Sequence, residues 1–288
     1  MLKNWLSILF IICSVVTYGQ SSSIAEMEKE LNALSLDIVN NESDESKAKA
    51  NLAFKSLLLN AIEQEGSFEY AFKGIQAISI LTANETVKIY NWALPKKDET
   101  FEYFAILHIK TAKDKFKIVE LNDGSEIVKT PETRTLTSKN WFGALYYHII
   151  YDKKMGKDTY TLLGWDGDYN LTNKKIMEVM TVSSNGSVRF GSPIIKLGRK
   201  AQKRVIFTYA ETSVMSLKYD ENNKRIVFDY LVPTSSNLTG VFEYYGPSLN
   251  RFDAFVMDHG KWIYQADVNV QLNRNLKDNL WVNPKEEH

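Results

Sequence analysis

Cysteine is nearly absent from this chain of 288 residues: there is one, Cys13. Cys13 falls inside the only long apolar run, "WLSILFIICSVV" from Trp5 to Val16. Lys3 precedes that run, and Thr17 and Gly19 place small residues three and one before a cut that leaves Gln20 first. This is the pattern of a secretory signal peptide over residues 1–19, removed on export. The run is shorter than the roughly 20 apolar residues of a membrane span. Ile12 is not the small residue that lipid attachment requires before a cysteine, and Cys13 lies too early to be a cleavage point. Cleavage removes the one thiol, so a disulfide, a thiol nucleophile and a cysteine-bound metal are all excluded for the mature chain. No further apolar run is long enough to span a membrane.

Charge of one sign is also lacking. The chain has 35 Lys and Arg against 35 Asp and Glu. Loss of Lys3 leaves 34 against 35. Nucleic-acid binding needs a basic footprint, and that is missing. Histidines number four, at 108, 148, 259 and 288, with no HExxH or H-x-H spacing. The sequence has no G-x-S-x-G elbow, no G-x-G-x-x-G and no G-x-x-x-x-G-K-[ST]. It therefore predicts no resident metal and no cofactor.

What is there divides the chain into parts. Residues 20–80 read as a helical N-terminal segment. "SIAE" at Ser23–Glu26 is a capping box. Ile24, Met27, Leu31, Leu34 and Ile38 then form one apolar seam. "NNESDES" breaks the pattern, and Asp44 and Glu45 suit a second start. Ala50, Ala53, Phe54, Leu57, Leu58, Ala61 and Ile62 form a broader face, ended by Gly66. The two segments predict a helical hairpin packed on the protein's own body, with partner docking through the first seam as the alternative.

Residues 81–270 change character. About thirteen runs rich in Val, Ile, Tyr and Phe alternate with short polar turns. No connection holds the helix a parallel crossover needs, which predicts a largely antiparallel domain. The fold class is thus α+β, dominated by β: a helical hairpin plus one large antiparallel domain of barrel or sandwich kind, with a propeller as the alternative. "DENNK" at 220–224 predicts a hairpin between Met215–Tyr219 and Ile226–Tyr230; "NDGS" at 122–125 and Asn185–Gly186 are further turn signals. Residues 271–288 read as a polar tail.

The most suggestive stretch is "LLGWDGDYNLTNKK", Leu162 to Lys175. Asp166, Asp168 and Asn170 open like a helical calcium loop, but Leu171 and Met177 stand where that loop needs glycine and glutamate. The pair Asp166 and Asp168 suits glycoside hydrolysis in spacing alone. The simplest expectation is a solvated turn after Trp165, without a tightly held ion. Asp229 and Asp253 sit in apolar runs and are expected to be strand-end or cross-strand partners for Arg or Lys rather than catalytic groups. His108 and His148 are expected in strands. For the aromatics Tyr146, Tyr147, Trp165, Tyr244, Tyr245, Trp262 and Tyr264, core or cross-strand packing is the first expectation and a binding face the alternative; Trp165, Tyr244 and Tyr245 are the candidates for such a face, beside Asp166, Asp168 and Asn170.

Six stretches together carry a likeness: "VKIYNW" (87–92), "KNWFGALYYHI" (139–149), "YTLLGWDGDYNLTNKKIMEV" (160–179), "KRVIFTYAETSVMSLKYDE" (203–221), "IVFDYLVP" (226–233) and "YYGP" (244–247). Over roughly residues 75 to 270 the chain resembles a family of secreted Bacteroidota proteins. The resemblance implies a Gram-negative envelope, periplasmic or outside the cell, and one large β-rich unit. It assigns no catalytic residue. The sequence expectation is a non-enzymatic envelope protein whose β domain binds a small ligand, a glycan or another envelope protein. A secreted hydrolase using loop carboxylates, and a structural protein docking through its helices, are the alternatives.

Overall fold

The computed structural model describes residues 23–269, except 112–114 and 170. The expected signal segment 1–19, Asn170 and the expected polar tail 271–288 lie outside the described residues. The architecture is α+β and β-dominated, with two helices ahead of three mainly antiparallel sheets.

Helix α1 (Ile24–Asn40) starts where the capping box predicts: Ser23 accepts from the Glu26 N–H, and Glu26 accepts from the Ser23 N–H at 2.9 Å. Helix α2 (Asp44–Ile62) is capped by Ser43, with Asp44 and Glu45 at the positive end of its dipole. The α2 face is turned slightly from expectation. Ala53 is exposed and Asn51 is buried, because the Asn51 side-chain oxygen accepts from the Trp92 indole at 2.7 Å.

The first sheet is a meander of β1 (Ser79–Ala83), β2 (Val87–Pro95), β3 (Phe101–Lys110) and β4 (Phe116–Leu121). Next come β5 (Leu136–Thr137), β6 (Leu145–Tyr151), β7 (Thr159–Tyr169), β8 (Thr172–Val182) and β9 (Val188–Phe190), ordered β5-β9-β8-β7-β6. The short strands β10 (Ile195–Leu197) and β11 (Lys200–Gln202) precede β12 (Arg204–Ala210), which pairs with β8 along Thr172–Glu178. The last sheet adds β13 (Leu217–Asp220), β14 (Arg225–Pro233), β15 (Tyr245–Asp258) and β16 (Lys261–Gln265), in the order β11-β10-β16-β15-β14-β13. One contact there is parallel, β10 on β16.

Three cores join these layers in series. Leu31, Phe54 and Leu58 of the helices meet Trp92 and Ile106 of the first sheet. The other face of that sheet, with Ile89 and Leu107, packs on Tyr146, Leu162 and Met180. Leu163, Met177 and Val179 then meet Phe228, Phe255 and Trp262. Successive residues Leu162 and Leu163 thus enter different cores, as a strand covered on both faces must. Three open sheets stacked this way replace the closed barrel among the expectations, because β7–β8 lies between two layers. The expected hairpins appear at 220–224, where Leu217 opposes Phe228, and at Gly186, with φ +74. Among the described residues no helix is long and apolar enough to cross a membrane.

Candidate functional site

The stretch expected to turn after Trp165 does not turn there. Strand β7 continues to Tyr169, and β8 begins at Thr172. Asp166 opposes Lys174 and Tyr169 opposes Thr172, so Gly167 and Asp168 together face one residue. This is a β-bulge, and Asp168 takes the left-handed conformation it requires, φ +48. The bulge turns two carboxylates toward the first sheet.

Asp166 is only 6% exposed. It accepts from the Tyr103 hydroxyl at 3.0 Å and the Asp168 N–H at 2.8 Å. The Tyr103 oxygen in turn accepts from the Gly167 N–H at 2.7 Å. Asp168 holds Lys174 Nζ at 2.5 Å and accepts from the Thr172 hydroxyl at 2.6 Å. Lys174 lies 3.6 Å from Asp166 as well, bridging the pair. Burial pushes the Asp166 carboxyl above its ordinary range, and Lys174 opposes the shift. Gly167 is required: a Cβ there would sit 2.3 Å from the Phe101 ring.

The facing wall is the "NDGS" segment. It is not a hairpin turn: Asn122 donates to Ser138 O at 2.7 Å, Trp141 to Asn122 O at 2.9 Å and Gly124 to Trp141 O at 2.7 Å. The Asp123 carboxylate accepts from Ser125 N–H at 2.9 Å and Gly143 N–H at 3.2 Å. A Cβ on Gly143 would lie 2.2 Å from that carboxylate, so only glycine fits beneath it. Between these walls lies a cleft of about 840 Å³, with Phe101, Tyr103, Asp123, Phe142, Asp168 and Lys174 among its lining. Six carboxylates and three lysines line it. Lys96 is paired with Glu102 at 2.7 Å and Lys55 with Glu120.

Beneath the cleft lies a buried network. The Trp141 indole donates to the Tyr146 hydroxyl at 2.7 Å, Tyr146 donates to Glu178 at 2.5 Å, and Glu178 forms an ion pair with Arg204. The cleft loop is therefore anchored through Trp141 to the paired strands β8 and β12.

Of the residues singled out in the sequence, Asp166 and Asp168 enter the cleft. Trp165 packs edge-on against Phe101 at 5.1 Å and is half-buried, not a free stacking face. Asn170 is outside the described residues. Tyr244 and Tyr245 flank the hairpin tip, where the Tyr169 hydroxyl donates to Glu243 at 3.0 Å. Tyr245 packs on Phe242 and accepts from Gly240 N–H, while Tyr244 is half exposed. Tyr146 and Trp262 are wholly buried. Asp253 takes Arg251 through both oxygens, at 2.9 and 3.1 Å, from two residues along its own strand. Asp229 accepts from the Ser216 N–H at 2.7 Å instead of a cation. His108 is buried in β3, and His148 lies half-buried in β6. Tyr103, Gly143 and Lys174 are not among the candidate site residues of the sequence, and Asp123 reads there only as part of a turn; Lys174 has a local signal, six residues after Asp168.

Among the described residues no three His, Cys, Asp or Glu side chains are grouped to hold a metal ion. No family model, no curated protein and no solved structure matches the chain.

Proposed function

We propose that this chain is an exported envelope protein that binds a ligand in the Asp166–Asp168 cleft without transforming it. The observation that carries this reading is that both carboxylates are engaged by fixed partners: Tyr103 and the Asp168 N–H on Asp166, Thr172 and Lys174 on Asp168. A pair held this way presents a rigid polar surface. It lacks the arrangement of two free acids facing each other across a bond that glycoside hydrolysis uses. Phe101 and Phe142 supply apolar walls beside the polar groups, as ligand clefts commonly have. The seam of α1 is spent on the protein's own core through Leu31 and Ile38, which weighs against docking through the helices.

A second reading, the secreted hydrolase, has one observation in its favour: burial raises the Asp166 carboxyl, as a general acid needs. Calorimetric titration against a panel of neutral, basic and acidic oligosaccharides and peptides separates the two. Binding should be saturable, weakened at least about tenfold by Asp123→Asn or Asp168→Asn, with the ligand recovered intact. Shortened products that disappear with Asp166→Asn would replace binding with hydrolysis. Binding indifferent to both cleft substitutions would refute the cleft as the site. Export is checked separately by mass spectrometry of the native protein, which should begin near Gln20.

A further inference from the structure

Residues 66–76 link α2 to β1 without forming helix or strand, and none of them lines the cleft. Phe72 and Ile75 share the core of Tyr90 and Ile106 on the helix side of the first sheet. Two charges pin the segment there. The Lys88 ammonium, only 3% exposed, donates to Phe68 O at 2.5 Å and Tyr70 O at 2.7 Å. From the other side, Glu28 of α1 accepts from the Tyr70 hydroxyl at 2.5 Å and the Gly74 N–H at 2.6 Å. Gly66, with φ +78, and Gly74 bracket these contacts. Phe72 between them is held at φ +49, a left-handed conformation that a bulky residue rarely adopts. A segment held by a few polar contacts, with a strained residue inside it, can leave its face as a unit.

We infer that residues 66–76 are an acid-released strap: proton uptake by His108 lifts the strap from β2 and β3 and exposes the apolar face beneath it. His108 opposes Lys88 across the two strands and is 2% exposed. Its ring stands edge-on to Phe68 of the strap at 5.0 Å and to Phe116 of β4 at 5.1 Å. Its Nδ1 is buried and has no hydrogen-bond partner among the described residues. A proton on that ring therefore makes a second buried cation beside Lys88, with no acceptor waiting for it at Nδ1. The groups around it offer little relief. Glu69 of the strap draws the proton on, but Glu69 is itself exposed. Tyr90 and Lys88 come from β2, and Lys110 lies two residues along β3. On β4, Ile118 opposes His108, Lys117 sits on the other sheet face, and Glu120 is taken by Lys55. Both carbonyls that hold Lys88 belong to the strap, so lifting it returns both cations to water in one movement. The inference stands apart from the ligand reading of the cleft.

The test is amide hydrogen exchange on the purified protein at pH 7 and pH 5, a window above the ordinary carboxylate range. With the strap lifted, His108 binds its proton with the ordinary affinity, near 6.5, so each pH unit below that favours the lifted form by up to about tenfold. The Tyr70, Gly74 and Gln76 amides are bonded only while the strap is down, to Gly66 O, Glu28 and Asn32. Corrected for intrinsic exchange, their protection should fall about tenfold from pH 7 to pH 5, while the Leu162 and Met177 amides of the middle sheet keep theirs. A dye that reports exposed apolar surface should bind more at pH 5. His108→Gln, or His108→Leu where the glutamine variant folds poorly, should hold strap protection constant between the two pH values. Three results would each overturn the inference: wild-type protection unchanged at pH 5, strap and middle sheet losing protection together, or a pH-dependent loss that persists without His108.

Discussion

Glu178→Gln should be among the most damaging single substitutions in the protein. Glu178 and Arg204 oppose each other across β8 and β12, both wholly buried. Arg204 also donates to Pro131 O, and its guanidinium lies over Phe142 at 5.6 Å. Glutamine keeps the volume and keeps an acceptor for the Tyr146 hydroxyl. It removes only the charge, leaving a guanidinium that cannot shed its proton in a sealed site. Breaking a buried pair from one side costs about 3 to 5 kcal/mol. In a protein of this size that lowers Tm by roughly 10 °C. Arg204→Met should cost less, because a buried carboxyl stripped of its counter-charge takes up a proton. The folded variant then binds that proton more tightly than the unfolded chain. Its deficit should be full near neutral pH and shrink as pH falls toward about 4.3, the free glutamate value. The double variant, with both charges gone, should recover most of the loss. Urea unfolding followed by tryptophan fluorescence measures all three. A Glu178→Gln cost below about 1 kcal/mol, or a double-variant loss equal to the sum of the singles, would refute the reasoning.

Two further outcomes follow from the geometry. Gly143→Ala places a methyl where the Asp123 carboxylate sits, 2.2 Å away, so Asp123 must move. Calorimetry should find cleft binding weakened at least about tenfold, with a stability cost of about 1 to 3 kcal/mol from overpacking; unchanged affinity would argue against the Asp123 wall. His108 is buried beneath Phe68, and burial, aided by Lys88, lowers its pKa to about 4. The unfolded chain then takes up a proton near pH 6.5 that the folded chain refuses, so stability is intact above 6.5 and falls as pH drops toward 4. With partial solvent screening the loss is up to about 2 kcal/mol, and His108→Gln should flatten it in denaturation curves between those pH values.

Much of the fold was legible because its causes are local. The Ser23–Glu26 box, the α1 seam and the Asn185–Gly186 turn each act within a few residues, and each appears where the pattern placed it. The alternation in Met215–Tyr219 and Ile226–Tyr230 likewise became the pairing of β13 with β14. The layering was not legible. Runs such as "TLLGW" and "IMEVM" announce strands covered on both faces, yet nothing in them says whether the cover is a closed barrel or two further sheets.

The cleft shows where local inference stops. Asp166, Gly167 and Asp168 are good turn formers, so a solvated turn was the natural expectation. What prevents the turn is Tyr103, 63 residues earlier in the chain, whose hydroxyl donates to Asp166 and accepts from Gly167. Asp123 is placed by Gly143, 20 residues later, and by Trp141, which hangs on Tyr146 and the buried pair. Asp166 and Asp123 are thus held in part by partners that sequence spacing cannot name, whereas Asp168 is held by Thr172 and Lys174, four and six residues on. Through Tyr103 and Lys174, Asp166 is tied to strands of two different sheets. On the binding function proposed above, a polar cleft so tied recognises a ligand's shape and charge; the hydrolase alternative would require Asp166 to exchange its Tyr103 and Lys174 partners during reaction.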